Sequence, residues 1–269
     1  MNQDCLLSPD GQRYFLMAEG RPQAMPYHLR WFLPKVLGKD FERWRLWTQV
    51  ALATICWALV LYAWQRGVPL PQAILAGVLL AGLPSVWMYW LKLPVLTDMA
   101  SMAIALLAAV VPTPWGVLLA LLGGCIREGT PVYAALYAWN PWLLLGLAAP
   151  AVRFLFWKHG IEADPRVKAL LDNPVKTSWA RNGGRWKDLR ISLLPWAGLL
   201  AAVFHPSCQL LVSYAVCCAP IFRSHDFVRH YIMAAPVLIL AVVQLPLWFL
   251  IPITAAHFAL PWHRWVRLA

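Results

Sequence analysis

Long apolar runs separated by short polar breaks make up most of the sequence. The runs cover about residues 47–65, 70–91, 94–111, 114–126, 131–157, 191–204, 206–222 and 231–257. Apolar stretches near 20 residues match the hydrocarbon thickness of a bilayer, and only helices and closed barrels satisfy their backbone there. The pattern therefore predicts an all-α protein, a polytopic transmembrane helical bundle with about seven or eight hydrophobic segments.

Two features interrupt this regular pattern. Asn140-Pro141 lies in the middle of the run 131–157, where proline removes a backbone donor and clashes with the preceding turn. We therefore expect a kinked or broken helix at that point. The runs 191–204 and 206–222 are near the lower length limit for a span, which leaves a re-entrant or tilted segment open.

The N-terminal residues 1–46 form an amphiphilic segment that differs from the rest. Pro9-Asp10-Gly11 predicts a turn leading into a short helix. Residues 29–47 alternate aromatic and basic side chains, as an interfacial helix does. We therefore divide the chain into residues 1–46, which hold a candidate catalytic loop, and residues 47–269, a transmembrane bundle with a polar loop at 158–190.

Composition agrees with a membrane location and narrows the partners. The chain is 61% hydrophobic and 13% charged, and it has 17 Trp and 8 Tyr, which are typical of the headgroup level. Its net charge of +11 favours anionic lipid headgroups or phosphate-bearing substrates over nucleic acid. Six Cys occur without a CxxC pair, so the sequence requires no metal site; the cofactor is unknown, and a divalent cation stays open.

The positive-inside rule gives a first indication of topology. Lys and Arg outnumber the acids in the loop 158–190, which places this loop in the cytoplasm. Counting five spans back from this loop places residues 1–46 outside the cytoplasm. That segment is itself basic, which favours the cytoplasm, so the two signals conflict. We expect a multi-pass integral membrane protein of a bacterial or phage-host plasma membrane.

Three acids lie inside the hydrophobic portion: Asp98, Glu128 and Asp226. Ionisable groups at membrane depth are costly, and they usually face a polar cavity or a partner. Arg127 is adjacent to Glu128, and Arg229 follows Asp226 by three residues. These groups are therefore the first candidates for a functional site.

Several fragments, taken in order, resemble integral-membrane glycosyltransferases of the GT-C class. SPDGQRYFLMAEG places Asp10 four residues before Tyr14, as in the pattern D-x-x-x-Y-x-x-x-A, and MPYHLRWFLP follows. LTDMASMAIAL has an Asp at the start of a span, LLGGCIREGTPVYAAL has an Arg-Glu pair at the end of one, and SHDFVRHYIMAAP carries D-x-x-R. The resemblance implies transfer of a sugar from a polyprenyl-phosphate donor to an acceptor hydroxyl.

Sugar transfer from a phosphate needs a general base for the acceptor and cations for the departing phosphate. Asp10 is the candidate base, Asp98 would orient the acceptor or assist the base, and Glu128 would orient Arg127 or bind the acceptor. The candidate residues are Asp10, Asp98 and Glu128 as catalytic groups, and Tyr14, Arg30, Arg127, Asp226 and Arg229 as substrate-binding groups. The expected partners are membrane lipids, a polyprenyl-phosphate-linked sugar and an acceptor of unknown identity.

Each candidate also has a structural interpretation. Asp10 fits an ordinary turn, Asp98 fits a helix cap, and Asp226 with Arg229 fits a local salt bridge. If the charges serve only packing, the chain is a non-enzymatic membrane scaffold, or a lipid-binding or transport subunit; another lipid-phosphate enzyme is a third alternative. Convergence separates these hypotheses, because a transferase needs Asp10 on the same face as Asp98 and Glu128, in one polar cavity.

Overall fold

A computed structural model describes residues 9–21, 23–24, 27–83, 86, 94–156, 215 and 227–259. Within these ranges every regular element is helical and no strand occurs, which confirms the all-α prediction. The α-helices are α1 Pro9–Ala18, α2 Phe32–Leu37, α3 Phe41–Gln65, α4 Leu70–Ala81, α5 Asp98–Val110, α6 Thr113–Ile126, α7 Thr130–Ala138, α8 Ala148–Phe156, α9 Phe227–Val242 and α10 Leu247–Ala259. Two 3-10 helices cover Tyr27–Leu29 and Pro141–Leu147.

The chain divides into two compact units. The first comprises Met1–Ile55 and Tyr89–Lys168, and it contains α1, α2, the first part of α3 and helices α5 to α8. The second comprises Cys56–Met88 and Ala169–Ala269, and it contains the rest of α3 with α4, α9 and α10. The predicted loop 158–190 and the runs 191–204 and 206–222 lie outside the described residues, apart from residue 215.

Helix α3 is long and apolar enough to cross a membrane. It has 25 residues, which corresponds to about 37 Å of helix, and it begins at Phe41, earlier than the predicted position 47. Trp57 and Trp64 on this helix are exposed. The other apolar helices in the described ranges have 10–17 residues, so α3 alone among them meets the length of a full span.

The N-terminal segment differs from its prediction in two places. Pro9-Asp10-Gly11 forms the first turn of α1 and not a separate turn, because proline suits the first helical position. The predicted single helix over 29–47 is also wrong, since α2 ends at Leu37 and α3 starts at Phe41. Gly38 separates them with a φ of 63°, and the Asp40 carboxylate then accepts from the backbone N–H groups of Glu42 and Arg43, at 3.0 and 3.2 Å.

The break predicted at Asn140-Pro141 is confirmed. Helix α7 ends at Ala138, Trp139 takes a left-handed conformation with a φ of 53°, and a 3-10 helix starts at Pro141. The Asn140 side chain accepts a hydrogen bond from the backbone N–H of Trp142 at 3.1 Å, which caps this 3-10 helix.

A second break was not predicted. The run 231–257 is not one helix but two, because α9 ends at Val242 and α10 begins at Leu247, directly after Pro246. The Leu245 carbonyl between them accepts from the Gln72 side chain of α4 at 2.9 Å, so the broken end is satisfied inside the second unit.

Small residues bring the helices of the first unit into backbone contact. Gly116, Ala120 and Gly124 recur every fourth residue on α6, a spacing that allows close helix packing. A Cβ on Gly124 would lie 2.6 Å from the Gly146 carbonyl oxygen, and a Cβ on Gly146 would lie 2.6 Å from the Ala120 backbone. This contact fixes the end of α6, and the next two residues of the chain are Arg127 and Glu128.

Candidate functional site

Four separate segments of the first unit contribute side chains to one buried cluster. Helix α1 supplies Asp10 and Tyr14, and the short segment after it supplies Tyr27 and Arg30. The start of α5 supplies Thr97 and Asp98, and the turn between α6 and α7 supplies Arg127 and Glu128. We call these eight residues the acid–arginine cluster.

Arg30 and Glu128 form a two-pronged ion pair. The Arg30 Nε donates to Glu128 Oε2 at 2.8 Å, and the Nη2 donates to Oε1 at 2.5 Å. The Arg30 side chain is 8% exposed and the Glu128 side chain 33%. The planar fork of arginine suits this geometry, and such charged hydrogen bonds are stronger than neutral ones. The pair therefore joins the N-terminal segment to the end of α6.

Asp98 pairs with Arg127 and not with a group in its own helix. The Arg127 Nη1 contacts Asp98 Oδ1, and the Asp98 side chain is only 1% exposed. Asp98 is the first residue of α5 while Thr97 holds the capping position, so the helix-cap interpretation does not describe it. A negative charge in the first turn is favourable with the helix dipole, and Arg127 compensates the cost of burial.

Asp10 is held by a tyrosine. The Tyr27 hydroxyl donates to Asp10 Oδ1 at 2.6 Å, and Asp10 is 8% exposed. The Tyr27 ring packs edge-on against Tyr14 at 5.9 Å and lies 5.5 Å from the Arg30 guanidinium carbon. Asp10 is therefore linked through Tyr27 to the arginine side of the cluster.

Tyr14 connects the remaining parts. Its hydroxyl accepts from Arg30 Nη1 at 3.2 Å and lies 3.2 Å from Thr97 Oγ1, next to Asp98 in the chain. The Tyr14 ring stacks on Trp44 at 5.9 Å, and both side chains are fully buried. Tyr14 thus joins α1 and the start of α5 to Arg30.

Arg30 and Glu128 each stabilise the ionised form of the other. Burial alone would raise the pKa of Glu128, but the charge and hydrogen bonds of Arg30, with a contribution from Arg127, lower it to about 2. Burial alone would lower the pKa of Arg30, yet the Glu128 carboxylate holds it well above its ordinary value. Burial and the nearby Asp10 charge raise the pKa of Tyr27 to about 12, so its hydroxyl remains a donor near neutral pH.

Six of the eight candidate residues meet in this cluster: Asp10, Tyr14, Arg30, Asp98, Arg127 and Glu128. Asp226 lies outside the described residues. Arg229 lies on α9 in the second unit, and its side chain is outside the described part.

The pairing within the cluster differs from the expectation. The guanidinium that binds Glu128 in two hydrogen bonds is that of Arg30, whereas the adjacent Arg127 pairs with Asp98. Tyr27 and Thr97 are members that the sequence analysis missed. Thr97 had a usable signal, because threonine directly before an aspartate at a helix start often takes the capping position.

The cluster brings three carboxylates, two guanidinium groups and two phenol hydroxyls together at one place. A carboxylate can accept a proton from a hydroxyl, and guanidinium groups match phosphate geometry. Over the described ranges, no group of three or more His, Cys, Asp or Glu side chains is arranged to hold a metal ion.

Comparisons with known proteins add no family. No family model, curated protein or solved structure matches the chain.

Proposed function

We propose that this chain is a multi-pass membrane glycosyltransferase that transfers a sugar from a polyprenyl-phosphate donor to an acceptor hydroxyl. The observation that carries the proposal is the convergence of Asp10, Asp98 and Glu128 with Arg30 and Arg127, from segments far apart in sequence. A general base and phosphate-binding cations are the two requirements of this reaction, and the cluster supplies both.

Asp10 serves as the general base in this proposal. Tyr27 donates to its Oδ1 at 2.6 Å and fixes the orientation of the carboxylate. The acceptor hydroxyl transfers its proton to the carboxylate as its oxygen attacks the anomeric carbon of the sugar, and the bond to the lipid phosphate breaks. A positioned base typically contributes about 10²–10⁴-fold to the rate.

Arg30 and Arg127 stabilise the departing lipid phosphate. Glu128 holds the Arg30 fork through Nε and Nη2, and Asp98 holds Arg127, so both guanidinium groups are oriented before substrate arrives. The pairing supports positioning roles for Asp98 and Glu128. A divalent cation would enter with the donor phosphate, and the transfer assay with and without Mg²⁺ tests this.

The membrane arrangement is part of the same proposal. Helix α3 supplies one span, and the apolar runs after it supply the others, in a bacterial or phage-host plasma membrane. The basic loop 158–190 lies in the cytoplasm. A single cysteine introduced at Asn182, in a chain whose native cysteines are replaced, tests this with an impermeant reagent. We expect no labelling from outside intact cells. Strong labelling would mean that the loop lies outside and that the proposed topology is inverted.

A transfer assay tests the function. The purified protein in proteoliposomes is given a panel of radiolabelled polyprenyl-phosphate sugars and a membrane extract as the source of acceptor, with and without Mg²⁺. We expect release of label from the lipid with at least one sugar. If no such lipid is bound or consumed under any of these conditions, the transferase proposal fails.

The mutual pairing of the charges favours one alternative. Arg30 with Glu128 and Asp98 with Arg127 neutralise each other inside the first unit, which is what a non-enzymatic scaffold, or a lipid-binding or transport subunit, requires. In that case the cluster only holds helices together, and the transfer assay gives no product while the protein remains folded.

A further inference from the structure

A groove separate from the acid–arginine cluster opens on the first unit. It has a volume of about 890 Å³ and lies between α1, α2, α6 and α8. None of the eight cluster residues lines it. Its lining includes Lys35, Arg153 and Arg21 but no acidic side chain, so the groove is positive.

An aromatic ring holds two of these cations together. Lys35 Nζ lies 5.8 Å from the Trp31 ring centre, and the Arg153 guanidinium carbon lies 5.9 Å from it. Lys35 comes from α2 and Arg153 from α8, so the two charges meet only in the folded unit. Arg21, the third cation of the lining, pairs through its Nε with Glu19 at 3.1 Å on the surface. Because Lys35 and Arg153 come from two helices and meet at one ring, we expect an anion in the groove to pair with these two charges.

The rest of the lining is largely apolar and partly exposed. Leu121 of α6 and Val152 of α8 contribute to the wall, and Phe156 at the end of α8 is 83% exposed. Exposed apolar side chains of this kind gain free energy when a hydrocarbon chain covers them. Next to two clustered cations, this apolar surface is complementary to a molecule with a negative head and a hydrocarbon chain, and not to inorganic phosphate.

We propose that this groove binds an anionic membrane phospholipid. Its phosphate pairs with Lys35 and Arg153, and an acyl chain runs along Val152 and Phe156. The net charge of +11 of the whole chain agrees with attraction to anionic headgroups. The proposal does not depend on the sugar-transfer reaction, since the groove and the cluster share no residue.

Native mass spectrometry of the detergent-purified protein tests this. Phosphatidylglycerol and phosphatidylcholine with identical chains are titrated against the wild type, the double variant Lys35→Ala/Arg153→Ala, and the control Arg43→Ala/Arg45→Ala. The control removes the same charge from exposed positions on α3, outside the groove. We expect the groove variant to bind the first phosphatidylglycerol about 30-fold more weakly, which corresponds to about 1 kcal/mol for each cation. The control and the charge-retaining variant Lys35→Arg/Arg153→Lys should bind like the wild type.

Several results would overturn the proposal. One is equal affinity of the wild type for phosphatidylglycerol and phosphatidylcholine. Another is an equal loss of phosphatidylglycerol affinity in the groove variant and the control variant. A third is displacement of phosphatidylglycerol by inorganic phosphate. Preferential displacement by equimolar polyprenyl phosphate would assign the groove to that lipid instead. If the double variant does not fold, Lys35→Met alone changes an exposed side chain, and about fivefold weaker binding is then expected.

Discussion

Arg30 donates two hydrogen bonds, of 2.5 and 2.8 Å, to Glu128, a residue 98 positions further along the chain. This ion pair connects the segment after α1 to the turn between α6 and α7. Loss of one partner would leave the other charge largely buried without its counterion, which is a large cost in a protein interior. The pair therefore contributes both to the stability of the first unit and to the orientation of Arg30.

A double-mutant cycle measures the coupling in this pair. Arg30→Met, Glu128→Gln and the double variant are unfolded with denaturant in detergent. We expect a coupling energy of about 0.5–3 kcal/mol, since the two groups share hydrogen bonds. The exposed pair Arg45 and Glu42, at 3.7 Å, is the control, and it should couple by less than about 0.5 kcal/mol. Coupling no larger than in the control contradicts the structural role of the Arg30–Glu128 pair.

The same carboxylate makes stability depend on acid pH. The pKa of Glu128 is about 2 in the folded protein against an ordinary 4.5, so the folded state favours its charged form. The stability that the ionised Glu128 adds to the folded protein is complete above about pH 4.5 and is lost progressively as the pH falls toward 2. The thermal midpoint of the wild type should therefore fall through this window, and that of Glu128→Gln should fall less. Parallel curves for the two proteins would contradict the assignment.

Backbone contact between α6 and the 3-10 helix Pro141–Leu147 predicts intolerance to one methyl group. Gly146→Ala places a Cβ 2.6 Å from the Ala120 backbone, so the helices must separate, at a cost of about 1–3 kcal/mol. A Cβ added at Gly129 would lie 3.4 Å from its nearest neighbour, an atom of the Tyr133 ring, which is an ordinary contact. Gly129→Ala should therefore cost less than about 1 kcal/mol, and equal unfolding free energies for the two variants would contradict the packing.

Local signals in the sequence predicted part of this fold. The length of the apolar runs indicated helices, and Asn140-Pro141 indicated the break that the structure has after α7. The break before α10 was missed although Pro246 marks it, because the run 231–257 is apolar enough to read as one span. Gly38 and Asp40 were likewise visible signals for the break between α2 and α3, and the aromatic-basic alternation outweighed them.

Local sequence patterns could not predict which side chains pair inside the cluster. Sequence adjacency suggested that Glu128 orients Arg127, but neighbouring residues in a turn point in different directions, and Glu128 meets Arg30. Tyr27 gave no signal that set it apart from the other seven Tyr of the chain. Only the packing of the segment after α1 against α5 and the α6–α7 turn identifies these partners.

The conservative variant Asp10→Asn tests the central claim most directly. Turnover and binding of a radiolabelled polyprenyl-phosphate sugar are measured for the wild type, for Asp10→Asn and for Glu42→Gln, an exposed carboxylate on α3. Asparagine keeps the shape of the side chain and removes its basicity. Asp10→Asn should therefore lower transfer by about 10²–10⁴-fold while donor binding and the unfolding midpoint stay close to those of the wild type. Glu42→Gln should transfer normally. Wild-type turnover by Asp10→Asn, or no donor binding by the wild-type protein, would contradict the account.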